Sequence, residues 1–275
     1  MPAEFPTAES MVAGAFGLLI GSFLNVCIYR LPRDLSVVRP RSCCPGCGKM
    51  VRSWDNIPVL SYIILRGRCR DCGERISVRY PFVEAACGLI FAWFVAREGV
   101  TGLALRDCVL CALLLALFFT DLETRLLPEI LTFGGIVAGV AFSLFVPVRD
   151  GIFEALTGVS GTGASVADSL LGALIPAALL WCLGWLHGKV RKVEGLGFGD
   201  VVMLAEVGAF LGLRATVLTL TLAGVSGSVI GTGYILLKKE DLRKYELPLG
   251  SFLGGAGIIV TAFGGPIMEW YGRLF

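Results

Sequence analysis

Two aspartates and two cysteine pairs are the residues of this chain whose types and spacing could do chemistry. Asp121 closes the apolar run Leu113–Thr120, and Asp200 opens another run after Gly197-Phe198-Gly199. A carboxylate near hydrocarbon is costly unless it is paired, hydrated or functional. Two carboxyls brought together resist double ionisation, so one holds a proton while the other stays charged. The charged one can take a proton from water, and the protonated one can polarise a carbonyl. That division of labour hydrolyses a peptide bond without a metal or a covalent intermediate. The blander reading is that each aspartate caps a helix or pairs with an arginine, and Asp200 before an apolar run fits a cap. Gly195, Gly197 and Gly199 would let a substrate backbone approach the acid. Their alternate spacing is neither a dinucleotide fingerprint nor a P-loop.

The cysteine pairs are Cys44-Pro-Gly-Cys47 and Cys69-Arg-Asp-Cys72, with 21 residues between them. Each short gap turns two sulfurs toward one point, and four sulfurs suit tetrahedral Zn²⁺. Four thiolate ligands leave no open position for water, so such a metal holds the fold. Pro45-Gly46, Gly48 and Gly73 favour the tight knuckles of a zinc ribbon. Cys43 could replace Cys44, but the equal gaps favour Cys44. A redox dithiol would need only one pair. Cys27, Cys87, Cys108, Cys111 and Cys182 read as small apolar side chains in or beside helices.

These groups need elements to position them, and composition says which. The chain is 55% hydrophobic and only 17% charged, with a mean hydropathy of +0.77. Ordinary soluble domains carry about 25% charged residues. Apolar runs over roughly 8–28, 81–97, 105–121, 129–147, 167–187, 200–213, 215–237 and 250–270 predict about eight membrane helices, with a tight turn at Arg214 dividing the sixth from the seventh. Segment 29–80 is the one long polar stretch and holds eleven Lys and Arg residues. Placing it inside puts 122–128, 188–199 and 238–249 inside too, with nineteen of the 24 basic residues. Both termini then face outward, and the first span reads as an anchor, not a removed signal peptide. Asp121 and Asp200 fall at the same inner face.

The expected fold is therefore an all-α polytopic membrane protein. It carries a small cytosolic zinc-ribbon-like insertion between helices 1 and 2. The expected division is a first helix at 1–28, a four-cysteine zinc-binding domain at 29–80 and a membrane aspartyl protease domain at 81–275. Basic charge in the insertion is explained by inside retention and lipid headgroups. No recognition helix or aromatic platform is visible, so nucleic acid is not an expected partner.

Together these residues resemble the bacterial type IV prepilin leader peptidase / N-methyltransferase family, the membrane aspartyl proteases with a Gly-x-Gly-Asp motif. The resemblance runs along nearly the whole chain. It is carried by Gly21-Ser-Phe-Leu-Asn-Val26, Tyr29-Arg-Leu-Pro32 and the tetrad Cys44, Cys47, Cys69 and Cys72. Asn56-Ile-Pro-Val-Leu-Ser61, Arg66-Gly-Arg-Cys69 and Ile76-Ser-Val-Arg-Tyr-Pro81 with Glu84 continue it. Asp121-Leu-Glu with Leu127-Pro128, and Gly197-Phe-Gly-Asp200, complete it. Glu129 stands where the family usually has aspartate, and Val202 where it usually has lysine.

The resemblance implies Asp121 and Asp200 as the catalytic pair and a bacterial inner-membrane location. It implies prepilin or pseudopilin substrates whose hydrophobic N-terminal helix lies in the lipid, cut after glycine at the cytosolic face. It further implies S-adenosylmethionine as methyl donor for the new N-terminus, with Glu84 and Asn56 either serving that region or bridging loop to helix. A peptidase without methyl transfer is one alternative. A secondary transporter using membrane carboxylates is another, and it would place its acids near mid-bilayer. Glu206 reads as a packing or polar-network residue.

Overall fold

The computed structural model describes residues 7–149, 151–191, 197–238 and 248–273. Gly195 and the basic residues Lys192, Lys239, Arg243 and Lys244 lie outside these. The chain forms two compact units, Met1–Cys108 and Val109–Phe275. Helix α4 (Gly102–Thr124) contributes its start to the first and its remainder to the second.

The first unit is built on α1 (Ala8–Arg30) and α3 (Arg79–Glu98). Thr7 caps α1 by accepting the Ser10 N–H at 3.2 Å, and Leu31-Pro32 takes the chain out of it as a short 3-10 turn. Gly99, at φ 70°, ends α3. The two helices approach until backbones touch. A β-carbon at Gly21 would lie 2.7 Å from Glu84 Cα, so only glycine fits there. Asn25 stitches the same seam, donating from Nδ2 to the Tyr80 carbonyl at 3.0 Å.

The insertion between α1 and α3 corrects the zinc-ribbon expectation. A ribbon needs a β-hairpin, and no strand forms among the described residues. There are only two isolated bridges, Cys43 with Met50 and Arg68 with Arg75. Each cysteine pair closes on itself within one tight turn, and the chain between the pairs takes helical turns instead of strands. These are a 3-10 turn at Ser53–Asn56 and α2 (Leu60–Ile64).

In the second unit, α4 is followed by α5 (Glu129–Ser143), α6 (Ile152–Thr157), α7 (Thr162–Arg191), α8 (Phe198–Lys238) and α9 (Leu249–Gly272). Its core is three helical stripes. They are Leu110, Leu114 and Leu117 of α4, Met203, Val207 and Phe210 of α8, and Leu253, Ala256 and Val260 of α9. Continuing the α4 stripe by one turn reaches Asp121. Continuing the α8 stripe backward by one turn reaches Asp200.

The expected count of about eight spans is also corrected. Six helices among the described residues are long and apolar enough to cross a membrane. Helix α5 has 15 residues, about 22 Å of helix against a hydrocarbon core of about 30 Å. The sixth and seventh expected spans are two helices that meet at Gly212, two residues before the turn expected at Arg214. Gly212 has φ 78° and ψ 178°, a backbone that glycine adopts without strain. The break reverses the chain. A straight α8 would carry Gly227 roughly 40 Å from Asp200. Instead a β-carbon at Gly227 would lie 3.4 Å from the ring of Phe252, the neighbour of Ser251 at the Asp121 end of the unit.

Candidate active site and cysteine cluster

Asp121 lies in the last turn of α4, just before the chain leaves the helix. Arg125 ends that helix in a left-handed conformation (φ 55°), its N–H bonded to the Asp121 carbonyl at 2.8 Å. The chain then crosses Leu126-Leu127-Pro128 and enters α5. Asp200 sits in the first turn of α8. Both aspartates line one cleft of about 320 Å³, together with Arg125, Leu127, Glu129, Thr132 and Val202. Gly197, Phe198 and Gly199 form its α8 rim. The residues expected to pair therefore share a cavity. Glu129 and Val202, the two departures noted in the sequence, are in its wall. Asp121 lies at the end of α4 and Asp200 at the start of α8.

The two acids differ in their surroundings. Asp121 is only 5% exposed. Its Oδ2 accepts the Ser251 N–H at 2.6 Å and the Ser251 hydroxyl at 2.8 Å. The Ser251 Oγ also lies 3.1 Å from the Phe118 carbonyl, one turn before Asp121. Asp200 is half-buried and has the Gly197 amide as backbone partner. Helix ends alone would favour charge on Asp200 over Asp121, by about 0.3–1 kcal/mol each. Hydrogen bonds to a charged group are worth about 1.5–3 kcal/mol each. Two of them on one Asp121 oxygen outweigh the helix ends.

Ser251 and its neighbour Gly250 escaped the sequence reading. A β-carbon at Gly250 would lie 3.0 Å from Asp121 Cγ, so the carboxyl rests against bare backbone. The signal was present. The segment before α9 was assigned to the same face as Asp121 and Asp200, and Gly-Ser directly after Pro248 and Leu249 gives a helix start small enough to touch a partner.

Glu206 is fully buried, six residues into α8 from Asp200. Its carboxyl rests on Gly135 of α5, at the place a side chain there would occupy. Neither of its oxygens has a hydrogen-bond partner among the described residues. Among the described residues its carboxyl packs against α5 and joins no polar network.

In the first unit the four expected thiols meet. The sulfurs of Cys44, Cys47, Cys69 and Cys72 all lie within 4.8 Å of one another, with Cys44 and Cys72 at 3.7 Å. Tetrahedral zinc–thiolate bonds of about 2.3 Å place sulfurs about 3.8 Å apart, so the donor set fits the ion. The two turns repeat one design. Cys44 N–H donates to the Lys49 carbonyl and Gly48 N–H to the Cys44 carbonyl, at 2.9 and 2.8 Å. Cys69 N–H donates to Glu74 and Gly73 N–H to Cys69, at 2.8 and 2.9 Å. The amides of Cys72 and Asp71 bond to the Cys69 sulfur and bring its thiol down to about 7. Against the Glu74 amide, desolvation and the neighbouring thiols push Cys72 up to about 12, so the cluster holds at least one ready thiolate. Cys43 stays outside the group.

Charged pairs brace the turns. Lys49 meets Asp71 at 3.2 Å. Arg70 grips Asp55 through Nε at 2.9 Å and a terminal nitrogen at 2.6 Å, and this bonding holds the Asp55 carboxyl below the usual range. Glu84 accepts the Val59 N–H at 2.8 Å. Val59 has φ 60°, unusual for a β-branched residue. Glu84 thus ties the insertion to α3, while Asn56 ends the 3-10 turn nearby in sequence.

Comparison with known proteins agrees with this arrangement. Residues 15–97 match the Bacterial Peptidase A24 N-terminal domain, and residues 108–232 match the Type IV leader peptidase family. A prepilin leader peptidase/N-methyltransferase from Burkholderia pseudomallei is 36% identical over 291 residues, spanning 96% of this chain and 89% of that one. One from Pseudomonas putida is 35% identical, spanning 97% and 93%. One from Myxococcus xanthus is 39% identical, spanning 84% and 64%. No solved structure matches the chain. Two family matches in series and relatives along almost the full length establish that the chain belongs to the type IV leader peptidase family.

Proposed function

We propose that this protein is a membrane aspartic endopeptidase of the inner membrane. It removes the leader of type IV prepilins or pseudopilins after glycine and then methylates the new N-terminus. Family membership and six apolar helices support the class of enzyme and its multi-pass setting. The observation that carries the chemistry is the shared cleft of Asp121 and Asp200.

In this reading one carboxylate takes a proton from a water molecule. The other carboxyl, still protonated, polarises the scissile carbonyl. The glycine-lined rim of Gly197 and Gly199 admits the substrate backbone. The leader approaches from the cytosolic side, where the basic insertion also lies, and both termini face outward. The substrate's apolar helix stays in the lipid. Residues 81–275 then form the protease domain, and 29–80 a cytosolic domain held by structural zinc on Cys44, Cys47, Cys69 and Cys72. When bound, that ion supplies a cross-link and no open coordination site. Methyl transfer from S-adenosylmethionine rests on family membership. Glu84 is taken up by the Val59 amide, and no residue is assigned to the donor.

The test is incubation of purified protein in detergent with a synthetic prepilin and S-adenosylmethionine, read by mass. Cleavage after glycine and addition of one methyl group to the product are expected. The Asp200→Asn protein is the control. Intact substrate with the unsubstituted protein would remove the peptidase reading. A cleaved but unmethylated product would leave a peptidase only.

A further inference from the structure

Ser251 gives the two aspartates unequal tasks, provided the peptidase reading above holds. Its N–H and hydroxyl converge on one oxygen, Asp121 Oδ2. The serine itself is fixed, being 4% exposed and in contact with the Phe118 carbonyl of the turn that carries Asp121. Gly250 brings the start of α9 against the carboxyl with no side chain between. This is a built seat for a carboxylate, and Asp200 has no counterpart to it among the described residues.

The other ionisable groups around the cleft do not reverse the assignment. Arg125, just beyond α4, lines the same cleft as Glu129 from α5 and Asp200 from α8, so one cation stands there against two further acids. Helix α9 brings no ionisable side chain to this end. Donors that touch the carboxylate act at contact distance, and hydrogen bonds to the charged form favour that form.

We infer that Ser251 is a positioning residue that makes Asp121 the ionised base and leaves Asp200 as the proton-bearing acid. Oδ2 is committed to Ser251, so Oδ1 receives the proton. Water loses that proton to Asp121 as its oxygen bonds to the scissile carbon. The Asp200 proton passes to the carbonyl oxygen, giving a neutral gem-diol. Asp121 then gives its proton to the amide nitrogen while a gem-diol hydroxyl returns a proton to Asp200. The C–N bond breaks to a carboxylic acid and a free amine, and both aspartates return to their starting forms.

The test is the pH dependence of peptide cleavage by full-length protein in detergent, for wild type, Ser251→Ala and Ser251→Thr. Ser251→Ala keeps the N–H and loses the hydroxyl donor. It should lower kcat about tenfold with KM unchanged. Its acid limb should move up by about one pH unit while the alkaline limb stays. Ser251→Thr keeps the hydroxyl and should restore both. Melting temperatures identify any variant that has merely lost its fold, and Ser251→Thr then carries the comparison. A folded Ser251→Ala with wild-type limbs, or a folded Ser251→Thr that lacks the wild-type limbs, overturns the assignment but leaves the peptidase intact. No cleavage by wild type sinks the peptidase reading itself.

Discussion

The cysteine insertion and the aspartate cleft are assembled on opposite plans. The four thiols come from two copies of one short turn, and the outermost pair, Cys44 and Cys72, is 28 residues apart. Local backbone bonds aim each pair before any long-range contact is needed. The cleft is lined from α4, α5 and α8, and Asp121 meets Ser251 of α9 across 130 residues. Its geometry exists only when these four helices pack. A site made of turns should lose its ligand abruptly and locally. A site made of packed helices should respond to changes at any of its seams.

The sharpest way to break this comparison is to remove one acid. Asp121→Asn or Asp200→Asn should each reduce prepilin cleavage about 10²–10⁴-fold, while the thiol-bound metal stays. Wild-type cleavage by either variant would dissolve the dyad. Next comes Cys69→Ser, which should take metal content of the purified protein to zero, whereas Cys43→Ser should leave it unchanged. Equal loss in both would mean that Cys43 is a ligand. Gly21→Leu forces a side chain into the α1–α3 seam and should destabilise the first unit by about 1–3 kcal/mol, read as a lower melting temperature in detergent. The smallest effect belongs to Asp55→Asn. The Arg70 side chain is 43% exposed and that of Asp55 9%, so the pair lies at the edge of the insertion and its loss should show as a rise in proteolysis there, with metal retained.

The thiol cluster was legible because CxxC spacing encodes its own geometry. The strands of a ribbon were not encoded, since bridges at Cys43–Met50 and Arg68–Arg75 are single contacts that no alternating pattern announces. Asp121 and Asp200 were legible as acids at apolar ends on one face. Hydropathy marked the spans, and the turn expected at Arg214 lies two residues past the reversal at Gly212, because a lone charge in an apolar run points to a break without giving its residue. Ser251 stayed hidden because its role depends on the partner it meets, and a serine at a helix start is common in any helical protein. Glu129 and Val202 stood out as departures, yet only the cleft gave them a shared location.

Glu206 and Gly135 carry one last consequence. The acid occupies the volume that any residue larger than glycine at 135 would need. Each position therefore licenses the other, and natural variants should alter them jointly. Gly135→Ala should be damaging alone and tolerated beside Glu206→Ala, a non-additive pair that a double-mutant cycle would register as coupling between α5 and α8.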